Sequence, residues 1–320
     1  MKILVTGAAG FVGARLVEIL LEGGHRVMGA DVIDGEDPPG WQEARLETAL
    51  SDARFELARI DIHDVTAMQR CFAAFQPEAV VHLASRKDLV WAEAHPRDCL
   101  DLHAGGLVTV LHCCHAANVG QLVLGSSVHV YGGSRRFPFA EDDPADKPLS
   151  VVGAAFRSAE LLAYSFALRS PVNTTVARLF SVYGPRQSPS RLVPSLAAQA
   201  ERRAALTLFG DGTASRDMVF VDDVVVGLVR ILDRPAPWRI LNLASGDSTT
   251  LAQVAEQIAY CADVAFRLKS RPTRPGEMPQ GWADIGRARE SVGFAPAVSL
   301  ENGIDRTVEW YSGRPDVFRV

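Results

Sequence analysis

The first half of the chain alternates short apolar runs with amphipathic stretches. The run Lys2–Thr6 is followed by a helical pattern over Phe11–Glu22 and by a second apolar run over Arg26–Asp31. The alternation continues with strands predicted at 79–83 and 121–124 and a helix predicted at 102–117. Strands that are apolar throughout are typical of a parallel sheet covered by helices on both faces. The pattern therefore predicts an α/β fold with a Rossmann-type doubly wound parallel sheet.

The regularity of this pattern decreases after residue 184, where proline-bearing turns separate short strands and helices. We expect a nucleotide-binding domain over residues 1–184, with returns of the chain near 218–245. Residues 185–320 are predicted to form mainly a smaller mixed α/β C-terminal lobe that binds substrate. Clusters of proline, glycine and acidic residues predict surface loops at 35–51 and 135–150, near the crevice.

Charge and cysteine content exclude several classes of protein. A net charge of -5 argues against nucleic acid or an anionic membrane surface as a partner. The best candidate for a membrane span, residues 218–232, is interrupted by Asp222 and Asp223 and is too short to span a bilayer. The apolar start lacks the features of a secretory signal, so we expect a cytoplasmic protein. The spacing His112-Cys113-Cys114-His115 suits a metal poorly, because adjacent cysteines on a helix point in different directions, and no metal is predicted.

A glycine-rich turn lies between the first predicted strand and the first helix. Such a turn brings a pyrophosphate against free N–H groups at the start of a helix. Asp31 ends the next strand, where a carboxylate accepts hydrogen bonds from an adenosine ribose and repels a 2′-phosphate. The sequence thus predicts NAD as cofactor, with Asp61 and Ile62 bordering the adenine. The cofactor-binding residues predicted in the turn itself are Gly7, Ala9, Gly10, Phe11, Val12 and Gly13.

Further motifs follow in a fixed order along nearly the whole chain. They include His82-Leu83-Ala84-Ser85, Ser126-Ser127-Val128-His129-Val130-Tyr131-Gly132, Tyr183-Gly184-Pro185-Arg186-Gln187, Gly210-Asp211-Gly212 and Arg274-Pro275-Gly276-Glu277. Together with the glycine turn, they resemble the extended short-chain dehydrogenase/reductase family, specifically its NAD-dependent nucleotide-sugar epimerases and dehydratases of the UDP-glucose 4-epimerase type. The resemblance implies that Leu83, Ala84 and Ser85 belong to the cofactor site.

A nucleotide-diphosphate sugar needs cations against its pyrophosphate and polar groups against its ribose. Arg216 and Arg274 are the candidates for the pyrophosphate, and Glu277 is the candidate for the ribose hydroxyls. In the family that the chain resembles, these positions hold the substrate nucleotide. Ser181 stands where that family usually has an asparagine near the phosphates.

The chain departs from the family at its catalytic pair. The resemblance implies a tyrosine that acts as the base on a sugar hydroxyl and a lysine four residues later that lowers the tyrosine pKa and holds a ribose. Alignment on the motif places Val152 and Phe156 at these positions. Neither side chain can move a proton, and no tyrosine in the chain is followed four residues later by lysine.

Other side chains near the predicted site can transfer protons. Ser127 matches the family's hydroxyl that bonds the reacting group, His103 replaces a usual asparagine, and His129 replaces a glutamate of dehydratases and decarboxylases. Imidazole suits proton transfer near neutral pH. We therefore hypothesise that His129, assisted by Tyr131 or His103, acts as acid and base. In the alternative, both histidines are structural.

These observations leave more than one function open. The leading interpretation is a nucleotide-sugar epimerase that forms a transient keto-sugar with atypical acid/base residues. A second is a catalytically silent protein that binds NAD and a nucleotide sugar; a dehydratase, or a reductase or lyase on another substrate, are further alternatives.

The resemblance also implies a homodimer. Family members commonly pair the 102–117 helix with the helix that carries the catalytic tyrosine and lysine positions. In this chain the second helix carries an apolar stripe of Phe156, Ala159, Ala163 and Phe166, a pattern that is also typical of a core-facing helix.

Overall fold

The computed structural model describes residues 1–33 and 37–312. The strands are β1 (Lys2–Thr6), β2 (Arg26–Asp31), β3 (Phe55–Arg59), β4 (Ala79–His82), β5 (Gln121–Ser127), β6 (Asn173–Leu179), β7 (Ser181–Tyr183), β8 (Leu206–Phe209), β9 (Ser215–Arg216), β10 (Met218–Phe220), β11 (Trp238–Leu243), β12 (Thr249–Thr250) and β13 (Leu268–Arg271).

The helices are α1 (Phe11–Glu22), α2 (Trp41–Leu50), α3 (Val65–Phe75), α4 (Leu89–Ala94), α5 (Pro96–Leu100), α6 (Gly106–Ala116), α7 (Val151–Ala167), α8 (Leu192–Glu201), α9 (Val221–Asp233), α10 (Leu251–Cys261), α11 (Gly286–Val292) and α12 (Leu300–Ser312). A π-helical turn, Asp101–Gly105, joins α5 to α6, and a 3₁₀ turn, Val128–Tyr131, follows β5.

The main sheet confirms the predicted doubly wound fold. In the described residues it has seven parallel strands in the order β11-β6-β5-β4-β1-β2-β3. The chain proceeds from β1 through β2 to β3 and then resumes on the other side of β1 with β4. The connections that leave β1 and β4 therefore run in opposite directions along the sheet. A crevice opens between these two strands at their carboxyl ends.

The interior of the sheet is apolar on both faces because helices cover both. Ile3 and Val5 face one hydrophobic core while Leu4, between them, faces the other. Successive residues of a strand point to opposite faces, so a run without polar residues is the expected pattern for a strand buried on both sides.

Residues after 184 supply a second group of elements and one strand of the main sheet. The segment 218–245 returns to that sheet through β11, which pairs with β6. The pairs β7 with β10, β9 with β12 and β8 with β13 form small sheets, and α8, α10 and α12 pack together beside them. These elements lie against the carboxyl end of the main sheet and form the other side of the crevice.

The prediction of a loop at 35–51 is wrong over 41–50, where the structure contains α2. Residues 35 and 36 of that predicted loop lie outside the described ranges. Gly40 has a φ of 79° and precedes this helix, whose residues Leu46 and Ala49 are buried. The five apolar residues of this ten-residue helix are spread around it, so its periodicity is weak, and tertiary packing against α1 stabilises it. The segment 135–150 has neither a helix nor a regular strand.

In the part of the chain that the structure describes, no helix is both long and apolar enough to cross a bilayer. Within the same residues, no three His, Cys, Asp or Glu side chains are grouped as metal ligands would be. Cys113 and Cys114 are buried thiols, and the neighbouring His112 and His115 are exposed.

Candidate active site

A cavity of about 650 Å³ fills the crevice between the main sheet and the second group of elements. The loops after β1, β2, β4 and β5 form one wall, as the position of the reversal between β1 and β4 requires. The second wall comes from β7, β8 and β9 and from the segment before α8.

The glycine turn forms one end of this cavity. Gly7 has a φ of 71°, and a Cβ there would lie 2.6 Å from the backbone of Leu83 and Ala84. A Cβ on Gly13 would lie 2.0 Å from the carbonyl oxygen of Gly7. Gly10 precedes α1, lines the cavity and provides no side-chain cap, so the first N–H groups of the helix are available to an anion. Phe11 and Val12 also line the cavity.

Asp31 lies beside this turn at the end of β2. Its Oδ2 accepts a hydrogen bond of 2.7 Å from the backbone N–H of Ala9, which is itself buried and does not line the cavity. Burial raises the pKa of Asp31 to about 6, although the N–H groups around it act in the opposite direction. The carboxylate is ionised at pH 7 and faces the cavity, so it presents oxygen acceptors next to the turn.

The other predicted cofactor residues also line the cavity. They are Asp61, Ile62, Leu83, Ala84 and Ser85. Asp61 accepts hydrogen bonds from the backbone N and the Nδ1 of His63, at 2.9 and 2.7 Å. Ile62 is 4% exposed and forms an apolar floor.

Basic side chains from the second group of elements line the end of the cavity away from the glycine turn. Arg216 donates one N–H to the carbonyl of Ser215 at 2.8 Å. Burial lowers the pKa of Arg216, and the negative charge of the nearby Glu277 offsets only part of this effect. The guanidinium of Arg274 lies 3.7 Å from the ring centroid of Phe209. Ser181, Arg216, Arg274 and Glu277 all line the cavity, so the structure brings the predicted substrate residues together.

Two of the four predicted catalytic residues reach the cavity. Ser127 ends β5 and accepts a hydrogen bond of 3.4 Å from the backbone N–H of His129. Burial lowers the pKa of His129 to about 4, and the positive charges of Lys87, Arg216 and Arg191 add to the effect. His129 is therefore neutral at pH 7 and can accept a hydrogen bond, but it holds a proton poorly.

The structure does not bring Tyr131 or His103 to the cavity wall formed by the described residues. Tyr131 is 1% exposed, donates its hydroxyl proton to Oδ1 of Asn242 at 2.7 Å, and stacks on Phe139. His103 is 3% exposed and bonds the carbonyl of Cys99 through Nδ1 at 2.8 Å. The 3₁₀ turn and the π-helical turn point these side chains inward, which residue spacing does not reveal.

Val152 and Phe156, at the positions of the expected tyrosine and lysine, lie in the first two turns of α7. Val152 is fully buried and Phe156 is 2% exposed. The ring of Phe156 meets the ring of His103 edge-on, with 4.3 Å between their centroids. Apolar packing thus occupies these positions, together with Ala159 and Ala163 of the predicted stripe, which is buried in the core.

Sequence reasoning missed Lys87, which lines the same cavity. It follows the His82-Leu83-Ala84-Ser85 motif directly after Arg86, in the loop between β4 and α4. A signal was available, because lysine occurs only at positions 2, 87, 147 and 269. Burial and the charge of Arg191 lower the pKa of Lys87 to about 8.

The fold and this cavity define a class: a doubly wound α/β protein with a dinucleotide site joined to a second, arginine-lined site. The chain belongs to the NAD dependent epimerase/dehydratase family, whose model matches residues 3–244. Membership confirms the resemblance seen in the sequence and the prediction of NAD as cofactor.

Relatives extend over the full length of the chain. A UDP-glucuronate 4-epimerase of Thermodesulfobacterium geofontis is 30% identical, with 96% of this chain and 95% of that protein covered. A UDP-glucose 4-epimerase of Mycolicibacterium smegmatis is 31% identical, with 98% and 99% covered. The crystal structure of UDP-glucuronic acid 4-epimerase from Bacillus cereus, in complex with UDP-glucuronic acid and NAD, superimposes with a TM-score of 0.92 at 27% identity, covering 98% of this chain and 99% of that one.

Proposed function

We propose that this protein is an NAD-dependent UDP-sugar 4-epimerase that acts through a transient keto-sugar, with UDP-glucuronate as the first substrate to test. One observation carries the proposal: a single cavity contains the glycine turn, the two arginines Arg216 and Arg274, and the polar pair Ser127 and His129. This arrangement suits two bound diphosphates, NAD and a nucleotide sugar, with the nicotinamide and the sugar meeting in the same cavity. UDP sugars are chosen because the relatives named above act on them.

The residues present fit NAD. Gly7 and Gly13 keep the backbone close enough for a pyrophosphate to reach the N–H groups of α1, and no side chain of Gly10 blocks it. Asp31 would accept hydrogen bonds from the hydroxyls of the adenosine ribose, and Asp61 and Ile62 would border the adenine. When bound, NAD supplies a reversible hydride acceptor.

The substrate nucleotide would lie at the opposite end. Arg216 and Arg274 would hold its diphosphate, Glu277 its ribose hydroxyls, and Ser181 a phosphate oxygen. Charge-assisted hydrogen bonds from arginine to phosphate are shorter and stronger than neutral ones, so these two side chains would anchor the substrate while the sugar turns.

Ser127 and His129 would contact the reacting hydroxyl. The Ser127 hydroxyl would donate to the sugar oxygen, and the neutral imidazole of His129 would contact the sugar beside that hydroxyl and fix its orientation. Since the charge of Arg216 is one cause of the low pKa of His129, a bound diphosphate would offset that charge and raise the pKa of the imidazole.

The experiment is incubation of the protein with NAD and, separately, UDP-glucuronate and UDP-glucose, followed by chromatography with mass detection of the 4-epimers. His129→Ala should lower kcat by about 100-fold or more, while calorimetry shows UDP-sugar affinity within a few-fold of wild type. His25→Ala, before the start of β2 and outside the cavity lining, is the matched control and should leave both unchanged. Full turnover by His129→Ala would contradict the assignment of His129.

A second candidate function has its own observation. Val152 and Phe156 are packed into the core at the two positions where the family places its proton-transfer pair. A silent binding protein would show saturable UDP-sugar binding in the presence of NAD but no new isomer. A product lighter by one water would instead favour a dehydratase.

We also propose a homodimer formed through the outer faces of α6 and α7. The inner stripe of α7 is buried, but its outer face exposes Leu161 and Tyr164, and α6 exposes Val108. Light scattering should give twice the mass of one chain, and a monomeric mass at micromolar concentration would exclude this pairing.

A further inference from the structure

An amine lies inside the cavity at Lys87. The preceding residues follow β4, and the next residue, Asp88, caps α4 by accepting the N–H of Trp91 at 3.0 Å. This cap fixes the backbone on one side of Lys87. The side chain extends into the cavity lining.

Lys87 has no anionic partner in residues 1–33 and 37–312: its Nζ makes no hydrogen bond or ion pair there. Its described contact is with an aromatic face, since Nζ lies 5.7 Å from the ring centroid of Phe156. Phe156 is the residue that stands at the family's lysine position. An ammonium group from the β4 loop thus lies over the place from which α7 would have supplied one.

Charges and imidazoles around Lys87 act on one another in this cavity. Arg191, before α8, repels its positive charge. Lys87 in turn lowers the pKa of His129, in the 3₁₀ turn, and of His103, in the π-helical turn. The neighbouring carboxylate of Asp88 is engaged in its helix cap. Burial is the main cause of the low pKa of Lys87, about 8, and Arg191 adds to it.

Lys87 and His129 differ in how well they hold a proton. With a pKa of about 4, His129 is protonated in roughly one molecule per thousand at pH 7. With a pKa of about 8, Lys87 is neutral in roughly one molecule per ten at pH 7 and in half of them at pH 8. A general acid/base works best when its pKa is near the working pH, and this condition favours the amine.

We propose that Lys87 is the acid/base residue of this cavity, exchanging a proton with the sugar hydroxyl that Ser127 and His129 orient. The inference rests on the proposed epimerase function. In the forward step the hydroxyl O–H bond would break and an N–H bond would form on the neutral Nζ, with bound NAD supplying the acceptor for the hydride of the same carbon. In the return step Nζ would give the proton back to the oxygen, with the reduced cofactor supplying the hydride to the other face of the keto carbon.

Substitutions separate proton exchange from simple charge. Lys87→Arg keeps a positive charge but cannot release a proton near neutral pH, whereas Lys87→Met removes both. Both variants should lose at least about 100-fold in kcat with the affinity for UDP-glucuronate changed less than three-fold in Lys87→Arg. Lys269→Arg, at an exposed position of β13, is the matched control and should retain wild-type turnover. Wild-type turnover by Lys87→Arg would overturn the proposal, because it would show that only charge is needed.

The pH profile provides a second readout. Wild-type kcat/KM should rise with pH through an apparent pKa of about 8, as the amine becomes neutral, and Lys87→Arg should lack this rise. A rise of the same size in Lys87→Arg would assign it to another group.

A third readout does not depend on turnover. With only four lysines in the chain, a protein labelled with ¹³C,¹⁵N-lysine should give four Cε–Nζ resonances, and Lys87→Arg identifies the one from residue 87. That resonance should titrate near pH 8 and shift on addition of UDP-glucuronate with NAD. Titration above pH 10 in both states would overturn the proposal. Absence of any isomer from the wild-type protein would refute the epimerase function, whereas turnover that survives in Lys87→Arg would refute only the role of Lys87.

Discussion

Asp31→Asn is expected to make the cofactor-free protein more stable and its binding of NAD weaker. Burial raises the pKa of Asp31 from 3.8 to about 6, so the folded state holds this proton more tightly than the unfolded state does. Stability contributed by Asp31 is therefore greatest below pH 4 and is lost as the pH rises to 6. The whole difference corresponds to about 3 kcal/mol of unfolding free energy.

The asparagine has no such proton and can still accept the 2.7 Å hydrogen bond from Ala9. Urea unfolding should show the stability of Asp31→Asn relative to wild type increasing by about 2 kcal/mol between pH 4.5 and pH 7.5. In a chain of this length the gain corresponds to a few degrees in Tm. Asp98→Asn, at an exposed position of α5, is the control and should show no such trend.

The cofactor reverses the sign of the effect. A hydrogen bond to a charged acceptor contributes about 1.5–3 kcal/mol, so loss of the carboxylate should raise the Kd for NAD by about 10- to 100-fold in calorimetry at pH 7.5. A stability difference that does not change with pH, or that favours wild type more as the pH rises, would refute the argument that burial dominates at Asp31.

Two further substitutions test the glycine turn and Tyr131. Gly13→Ala places a Cβ 2.0 Å from the Gly7 carbonyl, so the turn must shift, and the Kd for NAD should rise by at least about 10-fold while the UDP-sugar alone still binds. Unchanged NAD affinity would show that the turn does not hold the pyrophosphate. Tyr131→Phe leaves Oδ1 of Asn242 without its 2.7 Å partner and should cost about 1–3 kcal/mol in urea unfolding with kcat unchanged; a large loss of kcat would return Tyr131 to the catalytic group.

Local sequence determined the order of elements and the cofactor end of the cavity. The first two strands and the helix between them have the bounds that the apolar pattern predicted, at Lys2–Thr6, Phe11–Glu22 and Arg26–Asp31. These predictions succeed because periodicity and glycine conformation act within a few residues of the chain. The glycine turn and Asp31 meet because β1 and β2 are neighbours in the sheet, which the βαβ order already implies.

The weak local pattern of α2 was insufficient to predict a helix. Five of the ten residues of α2 are polar, and the helix is stabilised because Leu46 and Ala49 find apolar partners elsewhere in the chain. Its sequence therefore resembled a loop until those partners were known.

Only the tertiary structure decided which polar residues share the cavity. Ser127, His129 and Tyr131 follow one another closely in sequence, yet a tight turn after β5 directs Tyr131 into the core and leaves the other two in the cavity. Lys87 joins them from a separate loop because β4 lies next to β5 in the sheet. Burial and neighbouring charge then set the pKa of each group, and neither property is local to the sequence. The sequence thus determined the scaffold and its cofactor, whereas the packing of distant segments determined the chemistry of the site.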